Sequence, residues 1–199
     1  MATTTALEQA EPAERLFTTD EFMAIPHDGV DRWLIDGRVV EVGMTKRNKY
    51  HARTESRVSY LLETWLDSQP EPRGGVFAGE AGVRLKKNPD RTVGIDVVYL
   101  PGLASEAVMA DEATTVIDAV PALAVEILSP TEVKKNTTRK LRLFRDAGVP
   151  LVWLIDTDFR TVTVHRPGVP PVMLNDAEEL DGGDVLPGFR VPVAQLFPG

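Results

Sequence analysis

Residues 121–140, PALAVEILSPTEVKKNTTRK, set one carboxylate, Glu126, inside a run of small and branched apolar residues and follow it closely with a cluster of cations. The run ALAVEIL is short and apolar, as in a strand buried on both faces. Behind it, Leu141, Phe144 and Ala147 recur at helical spacing and end at Gly148 and Pro150, residues suited to stopping a helix. A second apolar run, LVWLID at 151–156, then reads as another strand. Strand, helix and strand in that order predict an α/β chain with a mixed sheet.

The flanking segments extend the pattern. TTDEFMAI (18–25) offers Thr and Asp ahead of a short apolar pattern, a capped helix. In RWLIDGRVVEV (32–42), Asp36-Gly37 between apolar runs is a hairpin signal. Val58, Leu61, Leu62, Trp65 and Leu66 predict an amphipathic helix from Lys49 to Leu66. GVFAGEAGVRL (75–85) and VGIDVVYL (93–100) read as strands joined by a turn at Asn88-Pro89-Asp90, and TVTVHR (161–166) as a further strand. Residues 167–183 read as irregular, with FRVPVAQLF (189–197) as a closing segment.

Composition bounds the classes available. A chain of 199 residues, 43% hydrophobic, suits one globular domain, expected over residues 16–199 behind a frayed tail at 1–15. No run approaches a membrane span, and the start has no basic-then-apolar signal segment. The chain has no cysteine, which excludes disulfides and thiolate metal sites; a cytoplasmic protein is the simple expectation. Net charge is −8, yet Lys46, Arg47, Lys49, Arg53 and Arg57 cluster in one segment, and Lys134, Lys135, Arg139, Lys140, Arg142 and Arg145 in another. Two such segments on an acidic body fit either a phosphate-facing stripe or two solvated helix faces.

Asp96, in GIDVVYL, and Glu126 are each the one charge in an apolar strand. Acids are almost never fully buried unless paired or metal-bound, because desolvating an isolated carboxylate costs several kcal/mol. A divalent cation, Lys140 or arginines could compensate both, unless a strand end lets one of them face water. Lys140 leaves its helix from the apolar side of Phe144 and Ala147; were Thr137 the cap, it would also lie in the first turn, against the helix dipole. His51 and Glu55 project near the face of Val58, Leu61 and Leu62, either as a helix end reaching solvent or as part of a site. Other chemistries find little support. His27, His51 and His165 lack metal-ligand spacing, and the chain has no Gly-rich phosphate loop, nucleophile elbow or dinucleotide fingerprint. With 7% aromatic residues it also lacks the platforms a glycosidase site wants.

Taken together, LIDGRVVE, a histidine opening a helix, GEAGVRL, IDVVYL, PALAVEILSPT, and a lysine ahead of FRDAGVPLVWLID resemble the Uma-type endonuclease family, whose members are assigned to the PD-(D/E)XK restriction-endonuclease-like superfamily. The resemblance spans residues 16–197. It implies a mixed central sheet flanked by helices, with Asp96 and Glu126 as metal ligands and Lys140 as the active-site lysine. In the wider superfamily that lysine stands two residues after the glutamate, where this chain has Leu128; here it is displaced onto the following helix. Glu80 matches a position often acidic in the family and is a third candidate ligand, and His51 matches a common histidine. Three positions depart: Ile95 stands where proline is usual, Asn136 where aspartate is, and Trp33 where glutamate is. The chemistry implied is Mg²⁺- or Mn²⁺-dependent hydrolysis of nucleic-acid phosphodiesters, DNA foremost, by a homodimer. Lys46, Arg47, Lys49, Arg53, Lys134 and Lys135 would make backbone contacts. A catalytically degenerate binding or assembly module and a hydrolase of smaller phosphoesters are the rival classes.

Overall fold

The computed structural model describes residues 15–42, 48–128 and 134–197, except for the side chains of Lys134 and Lys135. In chain order the elements are α1 (Thr19–Met23), β1 (Arg32–Ile35), β2 (Arg38–Glu41), α2 (Lys49–Leu66), β3 (Gly75–Lys86), β4 (Arg91–Leu100), α3 (Gly102–Ala110), β5 (Leu123–Leu128), α4 (Lys134–Ala147), β6 (Leu151–Asp156), β7 (Thr161–His165), β8 (Val172–Leu174), β9 (Glu179–Asp181) and β10 (Arg190–Pro192). Among the described residues, eight strands form one sheet in the order β2-β1-β4-β5-β6-β7-β8, with β3 on the other edge of β4. Only β5 and β6 run parallel, joined by α4 as a crossover; the remaining pairs are antiparallel. The sheet is mixed, as expected, and mostly antiparallel.

Local chemistry accounts for most boundaries. Thr18 and Glu21 form a reciprocal capping box on α1. Asp36 and Gly37 both have positive φ, 50° and 75°, the turn whose twist matches a two-residue hairpin. Asn48 caps α2 by accepting the N–H groups of Tyr50 and His51. Helix α4 starts at Lys134, before Thr137, so Lys140 lies in mid-helix and the dipole argument against it does not apply. The tail of the chain is more regular than its composition predicts, since β8 and β9 both fall inside 167–183. Helix α3 has no sequence counterpart above: GLASEAVMA carries small residues without a clear period. No described helix is long and apolar enough to cross a membrane.

Two cores hold the sheet. On one face α2 packs Val58, Leu62 and Trp65 against Val97, Tyr99, Val125 and Trp153. On the other, Leu143 and Phe144 of α4 pack with Val98, Leu100, Ala124 and Trp33. Phe144 is fully buried. Phe144→Ala should therefore cost about 3–5 kcal/mol by urea unfolding; a loss under about 1 kcal/mol would mean that this residue does not anchor α4.

Candidate active site

Strand β4 shares one of its edges between two partners. Near its start Thr92 pairs with Leu34 of β1, and near its end Val97, Val98 and Tyr99 pair with β5. Among the described residues no strand covers that edge between these contacts, and Gly94–Asp96 line the resulting fork. One step beyond the Val97–Val125 pair, the register sets Asp96 opposite Glu126. Alternation turns both toward the α4 face, in phase with Val98 and Ala124. Directly opposed residues of an antiparallel pair lie about 5 Å apart at Cβ, so two acids face each other inside the protein.

The compensation comes from α4. Lys140 Nζ donates to both oxygens of Glu126, at 2.8 and 2.7 Å, and lies 3.9 Å from Glu80 Oε1. It also sits 5.3 Å from the centroid of Trp33, whose ring face favours a desolvated cation. Asp96, Glu126 and Lys140 are 4%, 3% and 5% exposed, so the strand-end alternative is excluded and the charges are interior. Asp96 Oδ2 accepts the Ile127 N–H at 2.7 Å, which ties the fork shut on the β5 side, and lies 3.3 Å from His51 Nε2. Burial pushes the Asp96 carboxyl up, but the His51 hydrogen bond, the Lys140 charge and the Ile127 N–H outweigh it and hold the group below its ordinary value. His51 is itself buried, with Nδ1 3.7 Å from Glu55 Oε2; this helix end does not emerge into solvent.

Glu80 reaches the cluster through a bulge. The register of β3 against β4 shifts between Ala78 and Ala81, so Gly79 and Glu80 together oppose Asp96. Both take positive φ, 94° and 58°. Such a conformation at a non-glycine residue persists only where its surroundings impose it. Glu55 supplies part of that by accepting the Gly79 N–H at 2.7 Å. The Glu80 side chain then lies over the bare backbone of Gly94, where a Cβ would come within 2.5 Å of its Oε1. A cleft of about 450 Å³ opens beside Glu80, Gly94 and Trp33, walled on its far side by Phe22, Met23 and Ile25.

The structure thus gathers Asp96, Glu126, Lys140, His51 and Glu80 from five elements. Lys49 and Arg53 stay outside the cluster, exposed at the start of α2. Lys46 and Arg47, and the side chains of Lys134 and Lys135, lie outside the described residues. Glu55, for which the sequence left a place in a site open, joins it, and so does Trp33, which the sequence marked only as a departure. Asn136, at a position of family departure, donates to the Val42 carbonyl at 2.8 Å and fastens α4 to the end of β2.

Asp96, Glu126 and Glu80 offer hard oxygen donors, the chemistry suited to Mg²⁺ or Mn²⁺. Among the described residues no three acid or imidazole groups form a ready metal cage. Mg²⁺ does not need one, since it is commonly held by one or two carboxylates with waters and substrate phosphates completing its shell. The donor set fits on that basis.

A family model, Uma2, described as "Putative restriction endonuclease", matches residues 19–194. A crystal structure described as a "putative nuclease belonging to DUF820" from Anabaena variabilis superposes with a TM-score of 0.73 at 19% identity, covering 91% of this chain and 97% of that one. That likeness gives the fold, which is restriction-endonuclease-like. No curated protein matches.

The Asp96 shift sets an acid dependence. A carboxyl held below its ordinary value stabilises the folded chain above the unfolded value, about pH 4, and that contribution is lost as pH falls through the lower folded value. Asp96→Asn keeps an oxygen for the Ile127 N–H and removes the charge. The stability gap between wild type and variant should hold from pH 7 to about 5 and shrink below about 4 in urea titrations. A gap constant down to the acid limb would show that the charge plays no part.

Proposed function

The chain belongs to the Uma2 family of restriction-endonuclease-like proteins, and from that membership we propose that it is a metal-dependent endonuclease hydrolysing nucleic-acid phosphodiesters, DNA foremost. The observation that carries this reading is the opposition of Asp96 and Glu126 in the β4–β5 fork, with the buried ammonium of Lys140 paired to Glu126. A protein seeking stability alone gains little from buried ion pairs, which often do no better than apolar residues of the same volume. A cleft beside such a cluster makes a working role the better account.

In this reading Asp96 and Glu126, with Glu80 at the cleft, hold one or two Mg²⁺ or Mn²⁺ ions. Such an ion, when bound, supplies Lewis-acid activation of the attacking water and neutralises charge developing on the phosphodiester. Lys140 directs an ammonium proton at the water or at a non-bridging phosphate oxygen, its charge held beside the reacting group by Glu126. His51 keeps the Asp96 carboxylate ionised and oriented, and Glu55, 3.7 Å from His51 Nδ1, braces the bulge that presents Glu80. Lys49 and Arg53, with Lys46, Arg47, Lys134 and Lys135, take the phosphate backbone, which positions the strand without reading its sequence.

Cleavage of duplex, single-stranded and branched substrates with Mg²⁺ and with Mn²⁺, beside chelator controls, tests the chemistry. Asp96→Asn and Lys140→Ala should each lower the rate by on the order of 10²–10³, the loss typical of removing one electrostatic stabiliser. Cleavage that survives both substitutions within about threefold would remove these residues from the reaction. Replacing Lys49 and Arg53 together by Ala should flatten the salt dependence of duplex binding by roughly two units of slope. An unchanged slope would return them to solvent-facing roles.

A further inference from the structure

The outer face of α2 carries a feature that the buried cluster does not use. Tyr50, Arg53, Arg57 and Tyr60 follow one another at spacings of three, four and three, which sets them in one stripe along the helix. Tyr50 and Tyr60 are 56% and 58% exposed. Each ring has a cation over it: Lys49 Nζ 5.0 Å from the Tyr50 centroid, and Arg57 Cζ 5.1 Å from that of Tyr60. Arg57 is fixed in this pose by donating Nε–H to the Gln195 carbonyl. Of the acids of α2, Glu55 falls on another face of the helix, and Glu63, three residues after Tyr60, flanks the far end of the stripe. The stripe begins one residue from His51, at the end of the helix that enters the site.

We propose that this stripe binds a single-stranded stretch of nucleic acid, with bases stacked on Tyr50 and Tyr60 and phosphates along Lys49, Arg53 and Arg57. Two rings set on either side of a pair of arginines, with Lys49 ahead of the first, offer stacking faces and phosphate partners together, and stacking on aromatic rings beside a basic track is how such strands are held without sequence preference. Ten residues of helix separate the two rings by about 15 Å. In a duplex, neighbouring bases lie about 3.4 Å apart along each strand and cover one another's faces, leaving nothing for a ring to stack on. The inference rests on the nuclease reading and extends it to the strand state of the substrate: a duplex with an unpaired arm, or a single strand, engages α2 beside the site.

Fluorescence anisotropy in chelator tests the stripe apart from the chemistry. The probes are labelled oligothymidylate and oligouridylate of roughly 16 nucleotides, within the range of single-strand sites, and a duplex of the same length. Tyr50→Leu and Tyr60→Leu keep apolar bulk without a ring, and each should weaken single-strand binding about tenfold, with duplex binding changed by less than about twofold. Tyr50→Phe and Tyr60→Phe should bind the single strand as wild type does. The two oligonucleotides separate DNA from RNA as the source of the strand. The proposal is overturned if the leucine variants bind the single strand normally, if they lose the duplex equally, or if wild type binds no single strand. Wild type that cleaves duplex but ignores the single strand would sink the stripe and leave the nuclease reading standing. Single-strand binding that needs both rings, in a protein that cleaves nothing with Mg²⁺ or Mn²⁺, would sink the nuclease reading and leave the stripe.

Discussion

A carboxylate opposite another carboxylate on neighbouring interior strands is an arrangement that water cannot relieve, and the surrounding structure follows from how it is relieved. Both carboxylate oxygens of Glu126 accept from one ammonium, which obliges α4 to lie across β4 and β5 with Lys140 inward. Asp96 draws on a backbone N–H and a histidine, which obliges the first turn of α2 to reach the same fork. Breaking one partner of such a pair is more damaging than never having had it, because the survivor stays buried and charged. The cluster therefore fixes the placement of both helices as firmly as the apolar faces do.

Two of the three positions that the sequence sets apart from the family's usual residues make sense in the same terms. Trp33 brings no charge to the fork, but its ring faces the Lys140 ammonium and helps a cation tolerate burial. Asn136 cannot act as an anion, and it is spent instead on the Val42 carbonyl, holding the helix that carries Lys140 against the first hairpin. Neither substitution removes an oxygen donor from the Asp96, Glu126 and Glu80 set.

Much of this is legible in the sequence, and the illegible part has a physical pattern. Asp96 and Glu126 stand out because each interrupts an apolar strand, and Lys140 because it leaves its helix on the side of Phe144. The hairpin at Asp36-Gly37, the bounds of α2 and the β5–α4–β6 unit follow from turn chemistry and period. Glu55 shows its position near the apolar face of α2 but not its role, since it acts on a backbone N–H 24 residues away and only because a bulge turns that group outward. The bulge is hidden in turn: GEAG reads as a strand interior, and nothing local says that Glu80 will take a positive φ. Helix α3 and strands β8 and β9 are too short or too small in side chain to impose a period, so tertiary contacts decide them.

The fork also divides the molecule by chain order. Glu80 and Asp96 belong to one hairpin, and Glu126 and Lys140, 14 residues apart, to one strand–helix unit. Each pair closes only a short loop, which costs little chain entropy. Everything between them, residues 101–122, contributes none of the five gathered side chains. The site thus consists of an acidic pair and a self-neutralised pair that meet across the short β4–β5 ladder. Opening the backbone in the turn after α3 would leave Glu80 with Asp96 on one fragment and Glu126 with Lys140 on the other, so that the site would exist only where the two fragments reassociate.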